Sequence, residues 1–278
     1  MILHTLGSGG WIPTSEFQTL SFAFFYDNEI FIIDAGTGLA RLLELKRSLF
    51  RDIWPRLECA RIFLSHYHYD HLCGLYWTKV LFDRIPLTVY APGSEIYGKP
   101  ASSIISDLFK KPFAPRIFSE LKPDSTVEDL SEGTFEIKSD NEKIPPLRIG
   151  IKLNPNHSDP SVSFRFGDYF AFVTDTPPEE KTIKFVKGVK VLLHESWYDS
   201  SHAFEDENDP LENHAEGPHT GSFGAGLIAK RAGIDRLYLI HHNPERSKRD
   251  IENDAFKVSA ELGIDCRIAE DSEKIEIE

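Results

Sequence analysis

The chain has 278 residues, 41% of them hydrophobic and 27% charged, a composition that excludes both a disordered tail and a disulfide-stapled miniprotein. Lys and Arg number 31 against 44 Asp and Glu, a net charge of −13. That balance argues against a large nucleic acid as partner, because phosphate binding draws on counterion release by Lys and Arg, while a small phosphate ester held by metal stays compatible.

The predicted elements run in alternation. Strands are expected at Ile2–Leu6, Thr19–Tyr26, Ile30–Asp34, Arg61–Ser65, Leu87–Ala91, Phe135–Lys138, Leu147–Leu153, Ser161–Phe166, Tyr169–Thr174, Val189–His194, Arg236–His241 and Cys266–Ala269, runs rich in Val, Ile, Phe and Tyr. Helices are expected at Leu39–Phe50, His71–Phe82, Ala101–Phe109, Pro178–Val186, Ser222–Ala232 and Lys248–Leu262, where apolar residues recur at three and four. A hairpin signal, Tyr26-Asp27-Asn28-Glu29, joins two early strands, and from about Leu147 the second half repeats the plan of the first. Two mixed sheets packed together with helices outside satisfy this order, and Pro and Gly mark loops rather than a boundary, so 1–278 reads as one domain. Cys59, Cys73 and Cys266 form no CxxC pair, and no stretch approaches the roughly 18–20 apolar residues of a membrane span; a cytoplasmic protein without a membrane partner is expected.

The strongest chemical signal is His66-Tyr67-His68-Tyr69-Asp70-His71, placed between a buried-strand run and a helix. A strand-to-helix turn fans side chains toward one point, and three imidazoles with a carboxylate are ligands for zinc or a similar borderline metal. This segment matches the HxHxDH signature and thereby resembles the metallo-β-lactamase superfamily. The resemblance implies an α/β four-layer αββα sandwich of two mixed β-sheets flanked by helices, with a metal site at the strand ends.

Further ligands follow from the same resemblance. His157-Ser158-Asp159-Pro160-Ser161 matches the His-Ser-x-Pro-Ser stretch of the ribonuclease Z-like branch, which supplies a third histidine. Thr174-Asp175-Thr176 fits the segment carrying the bridging carboxylate, although a carboxylate before Pro-Pro also suits a helix cap. The family's last ligand is the histidine closing this strand, and aligning Leu239-Ile240-His241 with that pattern puts His241 rather than His242 on the metal; His242 then faces the other way, since neighbours in an extended segment face opposite sides. The resemblance then assigns His66, His68, His157 and Asp175 to one divalent ion and Asp70, His71, Asp175 and His241 to another. Zinc is expected, with manganese or iron as other occupants, and Asp70 doubles as the base aiming the nucleophile.

His194-Glu195-Ser196-Trp197 resembles the His-Glu-Ala-Thr segment of ribonuclease Z-like phosphodiesterases, and His219-Thr220-Gly221-Ser222 their His-Ser-Thr loop. Glu195 would orient His219, and His219 would protonate the leaving oxygen; Gly221 departs from the family order, and His219 also reads as a helix cap. The Gly-rich start Leu6-Gly7-Ser8-Gly9-Gly10 lacks the Lys-Ser/Thr of a P-loop and is expected to let the first strand pass close to the metal floor. Arg246, Lys248 and Arg249 would grip a phosphate or simply be solvated.

The expected reaction is hydrolysis of a small phosphodiester, such as a cyclic nucleotide or cyclic sugar phosphate, by water activated on two metals. Alternatives are a ribonuclease Z-type tRNA 3′ endonuclease, a thioesterase, lactonase or β-lactamase, and last a metal-binding sensor without turnover. The tRNA reading loses weight because ribonuclease Z carries a basic arm between the third histidine and the bridging aspartate, positions only 18 apart here. An acidic insertion at about 199–218 joins Glu195 to His219. Within it Asp199, Glu205, Asp206, Glu207, Asp209, Glu212 and Glu216, with His202 and His214, read as a lid repelling polyanions or as a solvated loop. Oligomeric state is left open, a homodimer included.

Overall fold

Strands flanked by helices must bury both faces, and runs such as Glu29–Ile33 and Val191–Glu195 are apolar almost throughout, the pattern of a covered parallel sheet. The computed structural model describes residues 1–139, 141–199 and 209–278. Its strands are β1 (Ile2–Gly7), β2 (Ser21–Tyr26), β3 (Glu29–Ile33), β4 (Cys59–Phe63), β5 (Leu87–Pro92), β6 (Ser125–Leu130), β7 (Gly133–Ile137), β8 (Leu147–Asn154), β9 (Ser161–Phe166), β10 (Phe170–Val173), β11 (Val191–Glu195), β12 (Ala215–Glu216), β13 (His219–Thr220), β14 (Arg236–Ile240), β15 (Asp265–Ile268) and β16 (Lys274–Glu276). The longer helices are α1 (Ala101–Leu108), α2 (Glu180–Val186), α3 (Ser222–Ala232) and α4 (Lys248–Leu262).

Two seven-stranded mixed sheets form, ordered β16-β1-β2-β3-β4-β5-β6 and β15-β14-β11-β10-β9-β8-β7. Each begins as an antiparallel meander and continues as parallel strands: β3 to β6 in the first, and β10, β11, β14 and β15 in the second. The doubled plan read from the sequence is this repetition. Between the sheets lies a phenylalanine-rich core, with Phe24 edge-on to Phe166 and Phe170 at 5.2 and 5.4 Å and Phe63 edge-on to Phe164 at 5.7 Å. The outer faces are covered by two further clusters, one under the short helices and α1, the other under α2, α3 and α4. The four layers are those expected.

Local differences from the expectation have physical reasons. The helices expected at Leu39–Phe50 and His71–Phe82 are broken into short pieces, Thr37–Arg41 with Leu42–Leu45 and Tyr69–Leu72 through Thr78–Leu81, several of them 3₁₀ turns. Gly36, Gly38 and Gly74 press their backbones against neighbouring chain at both places, so packing rather than periodicity sets the path. Strands β6 and β16 were not expected: β6 is polar along much of its length and β16 is three residues long. Among the described residues no helix is long and apolar enough to cross a membrane.

Candidate metal centre

Parallel strands deliver their C-terminal ends to one edge, where an open α/β sheet offers binding space. Here both sheets do so together: β3 exits into Asp34, β4 into Ser65 and the histidine segment, β10 into Asp175, β11 ends at Glu195, and β14 exits into His241. Asp34, Asp175 and His241 adopt φ of 55°, 51° and 56°. Left-handed backbone at non-glycine residues is costly and collects at functional sites. For His241 it also changes the reason for choosing between the histidines: the residue has left the strand, so a local twist rather than strand alternation separates it from His242.

All seven expected ligands meet. Ligand atoms of His66, His68, His157 and Asp175 lie within 4.8 Å of one another, as do those of Asp70, His71 and His241, and those of Asp175, His219 and His241. Asp175 is central, its Oδ1 3.5 Å from His157 Nε2 and from His241 Nε2 and 3.9 Å from His66 Nε2, its Oδ2 3.4 Å from His71 Nε2. The buried Nε2 atoms of His66, His71 and His241 have no hydrogen-bond partner. Bare, buried imidazole nitrogens aimed at shared carboxylates are costly unless a cation joins them, so these residues fit divalent metal.

The tautomers are set from behind. Ser65 donates its hydroxyl to Asp34 Oδ2 (2.9 Å) and its N–H to Asp34 Oδ1 (2.7 Å), so His66 Nδ1–H donates to Ser65 Oγ (3.0 Å), while His71 Nδ1–H donates to Asp34 Oδ2 (2.8 Å). Both rings thereby present Nε2 to the cluster. His157 donates through Nδ1 to the Asp159 carbonyl (3.2 Å), and His68 meets the Asp159 carboxylate through Nε2 (3.2 Å), which leaves its Nδ1 for a metal. Burial, then the neighbouring imidazoles, hold His66 well below the ordinary histidine range, and burial also lowers His157. Burial works against charge on His71 and His241 as well, but Asp70, Asp175 and Asp34 raise His71, and Asp175, Asp70 and Glu195 raise His241 to about 10. The same contacts overcome burial and hold Asp70 and Asp175 below the usual carboxylate range.

Beside the cluster, fully buried Glu195 accepts the Thr176 N–H on Oε1 (2.6 Å) and His219 Nδ1–H on Oε2 (2.7 Å). Burial opposes its charge, yet facing His219 and His241 hold it below the usual range. His219 lies on β13 and stacks on Trp197 (4.9 Å, 18°), which also packs on His241. Its reading as a helix cap falls, because α3 is capped by Gly221 without a side-chain bond.

His242 turns away: it donates through Nε2 to the Ala269 carbonyl (3.1 Å) and packs on Phe17. The Gly-rich start passes over the floor as expected, for a Cβ on Gly10 would stand 2.6 Å from His241 Nε2 and 2.7 Å from Trp197. Arg246 pairs with Asp254 and Lys248 with Glu270, so neither is committed to the cluster. Within the acidic segment Asp209 pairs with buried His214 (2.9 Å), whereas His202, Glu205, Asp206 and Glu207 lie outside the described residues. Asp34 is the residue the sequence reading missed; a carboxylate closing an apolar strand run, the signal used for Asp175, marks it too.

Comparison with known proteins agrees with this architecture. Residues 14–210 match the family model described as Metallo-beta-lactamase superfamily. Curated relatives include Ribonuclease Z of Thermoplasma acidophilum, 26% identical with 86% of this chain and 85% of that protein aligned, and Ribonuclease Z of Pyrococcus abyssi, 26% identical with 91% and 90% aligned. Among solved structures, the metallo-beta-lactamase fold protein YhfI of Bacillus subtilis superposes with a TM-score of 0.70 at 17% identity, covering 99% of this chain and 98% of that one. The short form of human tRNase Z gives 0.67 at 18% identity, with both chains covered in full. The chain belongs to the metallo-beta-lactamase superfamily and is a metal-dependent hydrolase.

Proposed function

We propose that this hydrolase cleaves phosphodiesters, and the observation that carries the reading is the Glu195–His219 pair placed beside Asp175 and His241. An alkoxide leaving group gains from a proton donor, and an imidazole whose Nδ1–H is held by a buried carboxylate presents Nε2 for that task. His66, His68, His157 and Asp175 would hold one ion and Asp70, His71, His241 and Asp175 the second. Zinc, the ion this nitrogen and oxygen donor set suits, would supply an activated water and neutralise developing charge. Asp70 Oδ2 accepts the Trp11 N–H (2.7 Å), which fixes the carboxylate where it can aim the nucleophile.

Two substrate readings each have an observation behind them. The curated relatives are named Ribonuclease Z, and that supports a ribonuclease Z-type endonuclease acting on RNA, the alternative in the sequence analysis, more than a small diester. Supporting the small diester is the path from His157 to Asp175, which is filled by the hairpin of β9 and β10 with only residues 167–169 between them, leaving no arm there.

Turnover of bis-p-nitrophenyl phosphate beside a thioester, a lactone and nitrocefin tests the class of reaction, and precursor tRNA beside a cyclic nucleotide tests substrate size. His219→Ala should keep its metals and lose roughly 10²–10⁴-fold on alkyl leaving groups, with a smaller loss on p-nitrophenyl. Equal losses on both would remove His219 from the acid role.

A further inference from the structure

We infer that Trp11 and Tyr69 form an aromatic platform at the mouth of the site that selects substrates carrying a flat π-ring, a nucleobase or an aryl group, next to the scissile phosphodiester. The inference rests on the phosphodiesterase reading and adds the feature by which substrates are sorted.

Both residues are bound to the cluster by their backbones. Trp11 donates its N–H to Asp70 Oδ2 at 2.7 Å, Gly10 just before it lies against His241, and Tyr69 directly precedes Asp70. Their side chains nevertheless face water: Trp11 is 64% exposed and Tyr69 76%. Among the described residues no aromatic ring packs on either, and the Tyr69 hydroxyl makes no hydrogen bond.

Tyr67, two residues earlier in the same segment, shows the contrast. Its hydroxyl donates to the Pro92 carbonyl (2.6 Å) and its ring packs edge-on against Tyr97 at 5.2 Å. The fold therefore uses one tyrosine of the histidine segment for packing and leaves the other exposed.

Trp11 also takes φ of 60°, a conformation disfavoured for a bulky side chain. Leaving an indole in water while straining its backbone is costly to the fold. The outlay has a return if a ligand completes the contact, because each base stacked on an aromatic side chain gains affinity whatever its sequence. Ile12, 53% exposed, extends the apolar surface beside Trp11. A π-face attracts rings without needing the cations that a polyanion site requires, which suits a chain of net charge −13.

The test compares methyl, phenyl and nucleoside esters of the same phosphodiester on the metal-loaded protein. The preference for ring-bearing over methyl substrate, as a ratio of kcat/KM, should fall about 5- to 100-fold in Trp11→Ala and Tyr69→Ala, mostly through KM. Trp11→Phe and Tyr69→Phe should keep most of it. Phenyl and nucleoside esters separate an aryl from a nucleobase source. A second readout needs no turnover: a nucleoside monophosphate should quench tryptophan fluorescence of chelator-treated protein, and Trp11→Ala should lose that quenching. An unchanged ratio in both alanine variants, or quenching undiminished by Trp11→Ala, overturns the platform. If the wild type hydrolyses no phosphodiester at all, the reading of the reaction fails, and the quenching still decides for or against the platform.

Discussion

Gly10→Ala is the sharpest single test of the site, because its effect follows from one distance. The added methyl would stand 2.6 Å from His241 Nε2, 2.7 Å from His241 Cδ2 and 2.7 Å from Trp197 Cζ3. Ordinary contact begins at 3.4 Å, so the His241 ring must yield by about 0.8 Å and Trp197 by about 0.7 Å. The Gly10 backbone cannot easily give way, since its N–H is spent on the His242 carbonyl (2.9 Å) while the His242 N–H bonds Ser8. Trp197 packs on both His219 and His241, which lie side by side at 5.6 Å, so a shift of the indole disturbs His241 as well. The imidazole of His241 therefore moves, and a misplacement near 1 Å at a reacting centre costs about 10²-fold. Zinc titration against a chromophoric chelator should show one site weakened by about 10–100-fold, the scale of disturbing ligand support, while kcat/KM falls by about 10²-fold. Gly150→Ala in β8 is the control, since its Cβ meets nothing closer than 3.4 Å. If Gly10→Ala binds two metals as tightly as the parent and turns over as fast, His241 is not a ligand in the geometry described.

Other outcomes follow from the same contacts. Asp175→Ala should lose metal and activity together, as metal analysis and turnover would show, because its carboxylate stands between both ligand groups. Asp34→Asn, at a residue that supports His71 without being a proposed ligand itself, should weaken metal binding by about 10–100-fold, measured by the same chelator competition. His4, remote from the cluster, is lowered to about 4 by burial and then by Lys274, so its unfolded form takes up a proton first as pH falls. Its stabilising effect is complete above the unfolded value near 6.5 and is lost on the way down to about 4. Urea unfolding between pH 7 and 5 should accordingly lose about 2 kcal/mol less in His4→Phe than in the parent.

The legible part of the molecule was the part that repeats or clusters. The HxHxDH run and the segments around His157, Asp175 and Glu195 carry their chemistry in adjacent residues, and the fold places all of them at one edge. Strand runs such as Leu147–Asn154 and Ser161–Phe166 announce themselves because the phenylalanine core needs them apolar. What sequence conceals is set by tertiary packing. The β6 run Ser125–Leu130 pairs at the edge of its sheet with little apolar content, and only its neighbour β5 gives it a register. Nothing in Leu239-Ile240-His241 reveals that the histidine twists to positive φ. Trp197 reads as one more apolar residue until His219 and His241 are seen on its face.

Asp34 connects the two halves of the centre. One oxygen of this carboxylate receives the His71 ring directly and the His66 ring through the Ser65 hydroxyl, and those rings belong to different ligand groups. A cation held by either group would polarise its ring, strengthen that ring's pull on the shared oxygen, and so alter how firmly the other ring is held. Were each group to hold a cation as proposed, the two occupancies would be linked in part through this buried oxygen, and their filling would depart from two independent isotherms.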